Sequence, residues 1–119
     1  MAQFRFETLE IWQMAIEISD QLFDIGDRLR EKGRYRFAEQ IDGAGMSITN
    51  NISEGSGSFS DVDFANFLKF SRRSIFECAN VLVIFQRRKH ISSEEKEDLF
   101  NKLEHLSRKL TIFRKTLLK

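Results

Sequence analysis

The sequence contains no proline and has one cysteine, one tryptophan and one tyrosine in 119 residues. Proline breaks helix interiors and punctuates the turns of strand-rich proteins, so its absence leaves long helices unobstructed. A single cysteine, Cys78, excludes an internal disulfide and agrees with a reducing compartment. No run of eighteen apolar residues occurs, which excludes an ordinary membrane-spanning helix and any membrane partner of that kind. The start (Met1, Ala2, Gln3, Phe4, Arg5) lacks the basic and apolar regions of a secretory signal, so the expected location is cytoplasmic. There are only two histidines, and a di-iron bundle requires a glutamate three residues before each ligand histidine; Arg87 and Lys102 stand there instead. No metal and no cofactor are expected.

What is present is apolar periodicity. Hydrophobic residues make up 41% of the chain and charged residues 31%, the balance of one soluble domain over residues 1–119. Leu99, Leu103, Leu106, Leu110, Phe113 and Leu117 step by four and three, an apolar stripe on one helix face. Phe64, Leu68, Ser71, Ile75, Cys78, Leu82 and Phe85 follow the same rule, and so do Phe37, Ile41, Ala44, Ile48 and Ile52. The first segment carries two adjacent stripes: Ile11, Ala15, Ile18, Leu22, Ile25, Leu29 beside Leu9, Trp12, Ile16, Ser19, Phe23. Either can face the core.

Ser60 with Asp63, and Ser92 with Glu95, read as N-terminal caps, and Gly55 reads as a residue just past a helix end. Gly43 and Gly45, poor helix formers, read as a point of close helix contact. The segments span about 7–29, 34–54, 61–89 and 93–118. Short connections make consecutive helices antiparallel neighbours, so the expected fold is all-α, a left-handed up-down-up-down four-helix bundle.

Helix three is richer in apolar residues than one stripe requires. Phe70, Phe76, Val83 and Ile84 lie opposite its core stripe, with Phe67 and Val81 beside it. On helix one, Ile11, Met14, Ile18 and Ile25 need cover if the Trp12 stripe faces inward. Large apolar patches on soluble proteins mark partner surfaces, so Phe70, Phe76, Val83 and Ile84, with Ile11, Met14 and Ile18, form the expected interface of a homo-oligomer.

Charge alternates along the chain. Residues 1–27 carry a net minus five, 28–36 plus four, 37–68 minus five and 69–89 plus five. In an up-down bundle the first and third turns share an end, which brings Arg28, Arg30, Lys32, Arg34 and Arg36 to the same pole as Arg87, Arg88 and Lys89. Phosphate contacts dominate nucleic-acid affinity, and these eight cations are the candidate contacts.

Catalytic patterns are missing. Cys78 falls on the core stripe with no histidine nearby in sequence, the setting of a packing residue. Gly55-Ser56-Gly57 precedes a helix but lacks the lysine of a phosphate-binding loop and the strand before it, so it reads as a turn. Asn51-Ile52-Ser53 matches a glycosylation sequon but lies on a helix of a chain expected in the cytoplasm.

Four stretches carry a resemblance: Phe6-Glu7-Thr8-Leu9-Glu10-Ile11-Trp12-Gln13, Ser47-Ile48-Thr49-Asn50-Asn51-Ile52-Ser53-Glu54-Gly55, Phe64-Ala65-Asn66-Phe67-Leu68 and Ser74-Ile75-Phe76-Glu77. Together they resemble the 23S rRNA intervening-sequence proteins, also called the four-helix bundle protein family. The resemblance implies a bundle that assembles into homopentamers, with no established enzymatic activity. A relative, the accessory variability protein of diversity-generating retroelements, implies two further partners, nucleic acid (RNA or DNA) and a reverse transcriptase. Asn51, Glu54 and Gly55 match the family's most specific stretch, and a structural role at the end of helix two is expected of them. Thr49 stands where the family commonly has proline. The leading expectation is a non-enzymatic oligomeric scaffold with a nucleic-acid-binding pole; the alternative is a protein-binding adaptor without nucleic-acid affinity.

Overall fold

A computed structural model describes all 119 residues, and it contains helices and turns with no strand. The four helices are α1 (Glu10–Glu31), α2 (Tyr35–Ser56), α3 (Asp61–Arg87) and α4 (Ser93–Leu117). A 3-10 turn over Arg5–Thr8 precedes them. Each helix packs against its chain neighbours, and α4 returns to α1, so the architecture is a four-helix bundle. It measures 45 × 30 × 20 Å.

Local chemistry accounts for the boundaries. The Ser60 hydroxyl accepts from the Asp63 N–H at 3.1 Å and that of Ser92 from the Glu95 N–H at 3.0 Å, each filling one of the donors a helix start leaves open. The first helix starts later than its periodicity suggests. Leu9 is extended (φ −79°, ψ 128°) and separates Glu7, in the 3-10 turn, from α1. Glu7 serves that turn, its carboxylate accepting from the Phe4 N–H at 2.8 Å and its carbonyl from the Gln13 side chain at 2.9 Å.

The core settles which stripe of α1 faces inward. Ile11, Ala15, Ile18, Leu22, Ile25 and Leu29 are all buried, packed with Ile41, Ile48, Ile52, Leu68, Leu82, Phe85, Leu99 and Leu103. This corrects the expectation that Ile11 and Ile18 belong to an oligomer interface, because both side chains are already buried in the core of the single chain. The rival stripe is half-buried, and its Trp12 is covered from within the chain: the 3-10 turn folds back so that Phe6 meets Trp12 edge-on at 5.0 Å. Val81, expected as surplus, is also buried.

The closest approaches surround α2. Buried Ser19 of α1 donates to the Gly45 carbonyl at 3.0 Å, and buried Ser71 of α3 donates to the Ile48 carbonyl at 2.8 Å. Ser47 and Ser74 share a hydrogen bond at 2.7 Å. A serine hydroxyl reaches another helix's backbone only when the helices lie close, so small residues line both flanks. Gly45 fits the expected contact, its missing side chain leaving room for Leu22 and Phe23. Gly43 does not, since it faces open space.

Gly55 also departs from expectation. It lies inside the last turn of α2, which runs on to Ser56, and Gly57 is the cap residue. A side chain at 55 would meet Phe67 Cβ at 2.7 Å and the Phe64 ring at 2.8 Å. Glycine is needed there for the crossing of α3 and not for a left-handed turn. Asn51, one turn earlier, donates to the Ser47 carbonyl at 2.8 Å, and Glu54 is exposed.

Two helical glycines should therefore respond in opposite ways to alanine. Gly43→Ala gains helix propensity in open space and should stabilise by up to about 1 kcal/mol, whereas Gly55→Ala overpacks against two phenylalanines and should cost roughly 1–2 kcal/mol net. Urea denaturation of the two variants measures both; equal effects would contradict the close crossing.

Candidate functional site

The two turns that meet at one pole, α1–α2 and α3–α4, are built alike. After α1, Gly33 takes a left-handed conformation (φ +74°), the Gly33 N–H donates to the Arg30 carbonyl at 2.9 Å and the Arg34 N–H to that of Leu29 at 2.8 Å. After α3, Lys89 takes the glycine position (φ +63°), donating to Gln86 at 3.1 Å, and His90 donates to Phe85 at 2.8 Å. Both are Schellman caps, which close the open carbonyls of a helix end. The second explains why α3 stops at Arg87 and does not run to Lys89. A side chain at positive φ costs about 1–2 kcal/mol, so the chain carries a cation where a glycine would be more stable.

The ring of Phe37 on α2 lies 5.2 Å from His90 and 5.7 Å from Phe85, with Phe85 and His90 at 5.9 Å. This trio joins the two turns. Around it a shallow depression of 260 Å³ is lined by Arg34, Arg87, Arg88, Lys89 and His90. Burial, then the charges of Arg34, Arg88 and Lys32, push the His90 imidazole below its ordinary value.

The eight candidate cations divide into two groups. Arg28 binds Glu95 at 2.7 Å, and Arg30 is held between Asp27 and Asp42, so both guanidinium groups are engaged within the bundle. Lys32, Arg34, Arg36, Arg87, Arg88 and Lys89 are exposed and belong to no ion pair. Sequence reasoning did not separate the groups, because the partners Asp42 and Glu95 lie on other helices.

On α3, Phe70, Phe76 and Ile84 are 41%, 59% and 41% exposed, while Val83 is half-buried. The two phenylalanines point about 120° apart around the axis. Phe70 sits beside Phe67 on the α2 flank, and Phe76 lines a hollow shared with Phe100 of α4. Phe59 and Val62, on the lead-in and first turn of α3, are exposed as well. Met14 is half-buried in a groove between α1 and α4, where Lys109 binds Glu10 at 3.0 Å and Lys102 binds Gln21 at 2.9 Å. Asp98 beside them is held below the usual carboxylate range by hydrogen bonds from Lys102 and Gln21.

Reactive groups are not assembled. Cys78 is buried, and burial pushes its thiol up to about 12, so it stays protonated and inert at neutral pH. No three His, Cys, Asp or Glu side chains come together as a metal site. No helix is long and apolar enough to cross a membrane.

Two measurements test this pole. Lys89→Gly should raise stability by about 1 kcal/mol, read as a higher denaturation midpoint; no gain would remove the left-handed strain. For His90 the folded-state value lies below the unfolded one. Its contribution is therefore complete above about pH 6.5 and declines as pH falls toward the lowered value. His90→Gln should lose less stability than the parent between about pH 7.5 and about pH 5.5; an equal loss would contradict the lowering of the imidazole by burial and by the neighbouring cations.

Comparison with known proteins adds the following. A structure from Bacteroides thetaiotaomicron, described as a protein of unknown function from the S23 ribosomal protein family, superposes with a TM-score of 0.80 at 24% identity. The match covers 87% of this chain and 97% of that one, and at this identity it speaks for the fold alone. No functionally curated protein matches. The model of the family named 23S rRNA-intervening sequence protein matches residues 7–112, nearly the whole bundle. With all four helices inside that span or reaching just beyond it, the chain belongs to the 23S rRNA-intervening sequence protein family.

Proposed function

We propose that this protein is a non-enzymatic, self-associating scaffold whose basic pole contacts nucleic acid. The observation that carries the nucleic-acid part is the pole itself. Six exposed cations without carboxylate partners surround one end of the bundle, and one of them, Lys89, occupies a strained position. Structural ion pairing does not explain such a set, whereas a phosphate backbone neutralises it. His90 belongs to the same group of charges: a bound phosphate would offset Arg34, Arg88 and Lys32 and let the imidazole take up a proton more readily.

Self-association is supported by the distribution of exposed apolar side chains. Of eleven large ones, five (Phe59, Val62, Phe70, Phe76 and Ile84) lie on α3 or its lead-in. Phe70 and Ile84 are fourteen residues apart and share one side of the helix. They form the proposed contact between copies, and the proposed assembly is the homopentamer implied by the family resemblance.

Light scattering should give a particle of five times 14.0 kDa, and Phe70→Asp with Ile84→Asp should give monomers. A monomeric parent, or an unchanged assembly, would contradict this face. Labelled RNA and DNA should bind at about 50 mM salt and weaken steeply by about 200 mM. Replacing Arg34, Arg87, Arg88 and Lys89 by glutamine should lower the salt slope by about 3. No binding at low salt would leave the adaptor reading in place of the nucleic-acid one.

A further inference from the structure

Along the α3–α4 seam two hollows lie end to end. The first, of 280 Å³, has Leu68 and Leu110 as its floor and Lys69, Arg72, Thr111 and Arg114 as its walls. The second, of 200 Å³, is apolar and lies between Phe76 and Ala79 of α3 and Phe100 and Leu103 of α4. Arg72 joins them, lining the first while its guanidinium carbon stands 4.9 Å from the centre of the Phe76 ring that lines the second. At the other end Lys96 stands 4.9 Å from the Phe100 ring. The seam therefore reads cation, aromatic, aromatic, cation.

None of Lys69, Arg72, Lys96 and Arg114 forms an ion pair, and Glu104 at the rim of the apolar hollow is taken by Arg108 at 3.2 Å. Arg114 spends one donor on the Ala65 carbonyl at 3.3 Å, and its remaining guanidinium N–H groups stay available. An apolar protein surface closing over the seam would strip water from these cations without replacing it. A duplex supplies phosphates but keeps its bases stacked. A single strand supplies phosphates and planar rings together.

We propose that the α3–α4 seam is a groove for single-stranded nucleic acid, with one unstacked base between Phe76 and Phe100 and adjacent phosphates on Lys69, Arg72 and Arg114. This rests on the nucleic-acid reading of the pole and adds a second contact on the same helix, roughly 22 Å from Arg87 by helical rise. It also takes Phe76 out of the surface between copies, which leaves that role to Phe70 and Ile84 on the other flank.

The test uses the full chain with a labelled uridine 12-mer, the same strand lacking bases, and a duplex of equal length. Phe76→Leu keeps the position apolar and removes the ring; it should weaken the uridine strand about tenfold and leave the base-free strand and the duplex unchanged. Lys69→Gln with Arg72→Gln and Arg114→Gln should lower the single-strand salt slope by about 2. Unchanged uridine-strand affinity in Phe76→Leu, with binding lost only when the pole is neutralised, would overturn the seam and keep the pole. A parent that binds none of the three probes at low salt would overturn both. A smaller assembly in Phe76→Leu would overturn the seam by showing that the ring contacts another copy.

Discussion

The structure depends on how closely α2 is held. Hydroxyls of Ser19 and Ser71 donate to its backbone carbonyls from both sides, and Gly45 and Gly55 leave room for the flanking side chains. Each such bond contributes only about 1 kcal/mol net. Their geometric demand is larger than their energy, because the helices must stay within reach of a two-atom side chain. At these crossing points α2 consequently takes small residues, against which Leu22, Phe23, Phe64 and Phe67 pack. Phe70 and Phe76 lie on the outside of α3, while Phe64 and Phe85 fill the core.

The fourth helix is held differently. Only Leu99, Leu103, Leu106 and Leu110 of α4 are buried, and its contact with α1 is the sparsest between neighbouring helices. Hydrogen bonds and ion pairs bridge that gap, through Glu10 with Lys109, Gln21 with Lys102 and Arg28 with Glu95. The grooves on both sides of α4 follow from this asymmetry. Three hollows border that helix, one against α1 and two against α3. A tight three-helix layer thus carries a more loosely packed fourth helix.

Much of the fold was legible in the residues. Apolar steps of four and three placed the helices, and Ser60 and Ser92 marked two starts that hold as caps. What periodicity could not decide was which of two stripes on α1 faces inward, since Ile18 and Ile16 are equally apolar. The answer lies in the 3-10 turn, whose Phe6 covers Trp12, and in Ser19, whose hydroxyl finds the Gly45 carbonyl. Gly55 misled for a related reason: a glycine near a helix end suggests a turn, and only the crossing of Phe64 and Phe67 reveals a packing role. For the site, chain direction brought the cations of two turns to one pole on paper. The ion pairs of Arg28 and Arg30 were hidden, because Glu95 and Asp42 are 67 and 12 residues away in sequence. The hollow between Phe76 and Phe100 was equally hidden, as it arises from two helices neither of whose patterns marks it.

If α2 is the fixed centre, native-state amide hydrogen exchange will report it directly. The slowest amides should lie in the middle of α2 and on the inner face of α3, around Ala44–Ile52 and Ser71–Leu82, and should exchange only through global unfolding. Slowest exchange in α4 instead, with α2 opening locally, would contradict the account.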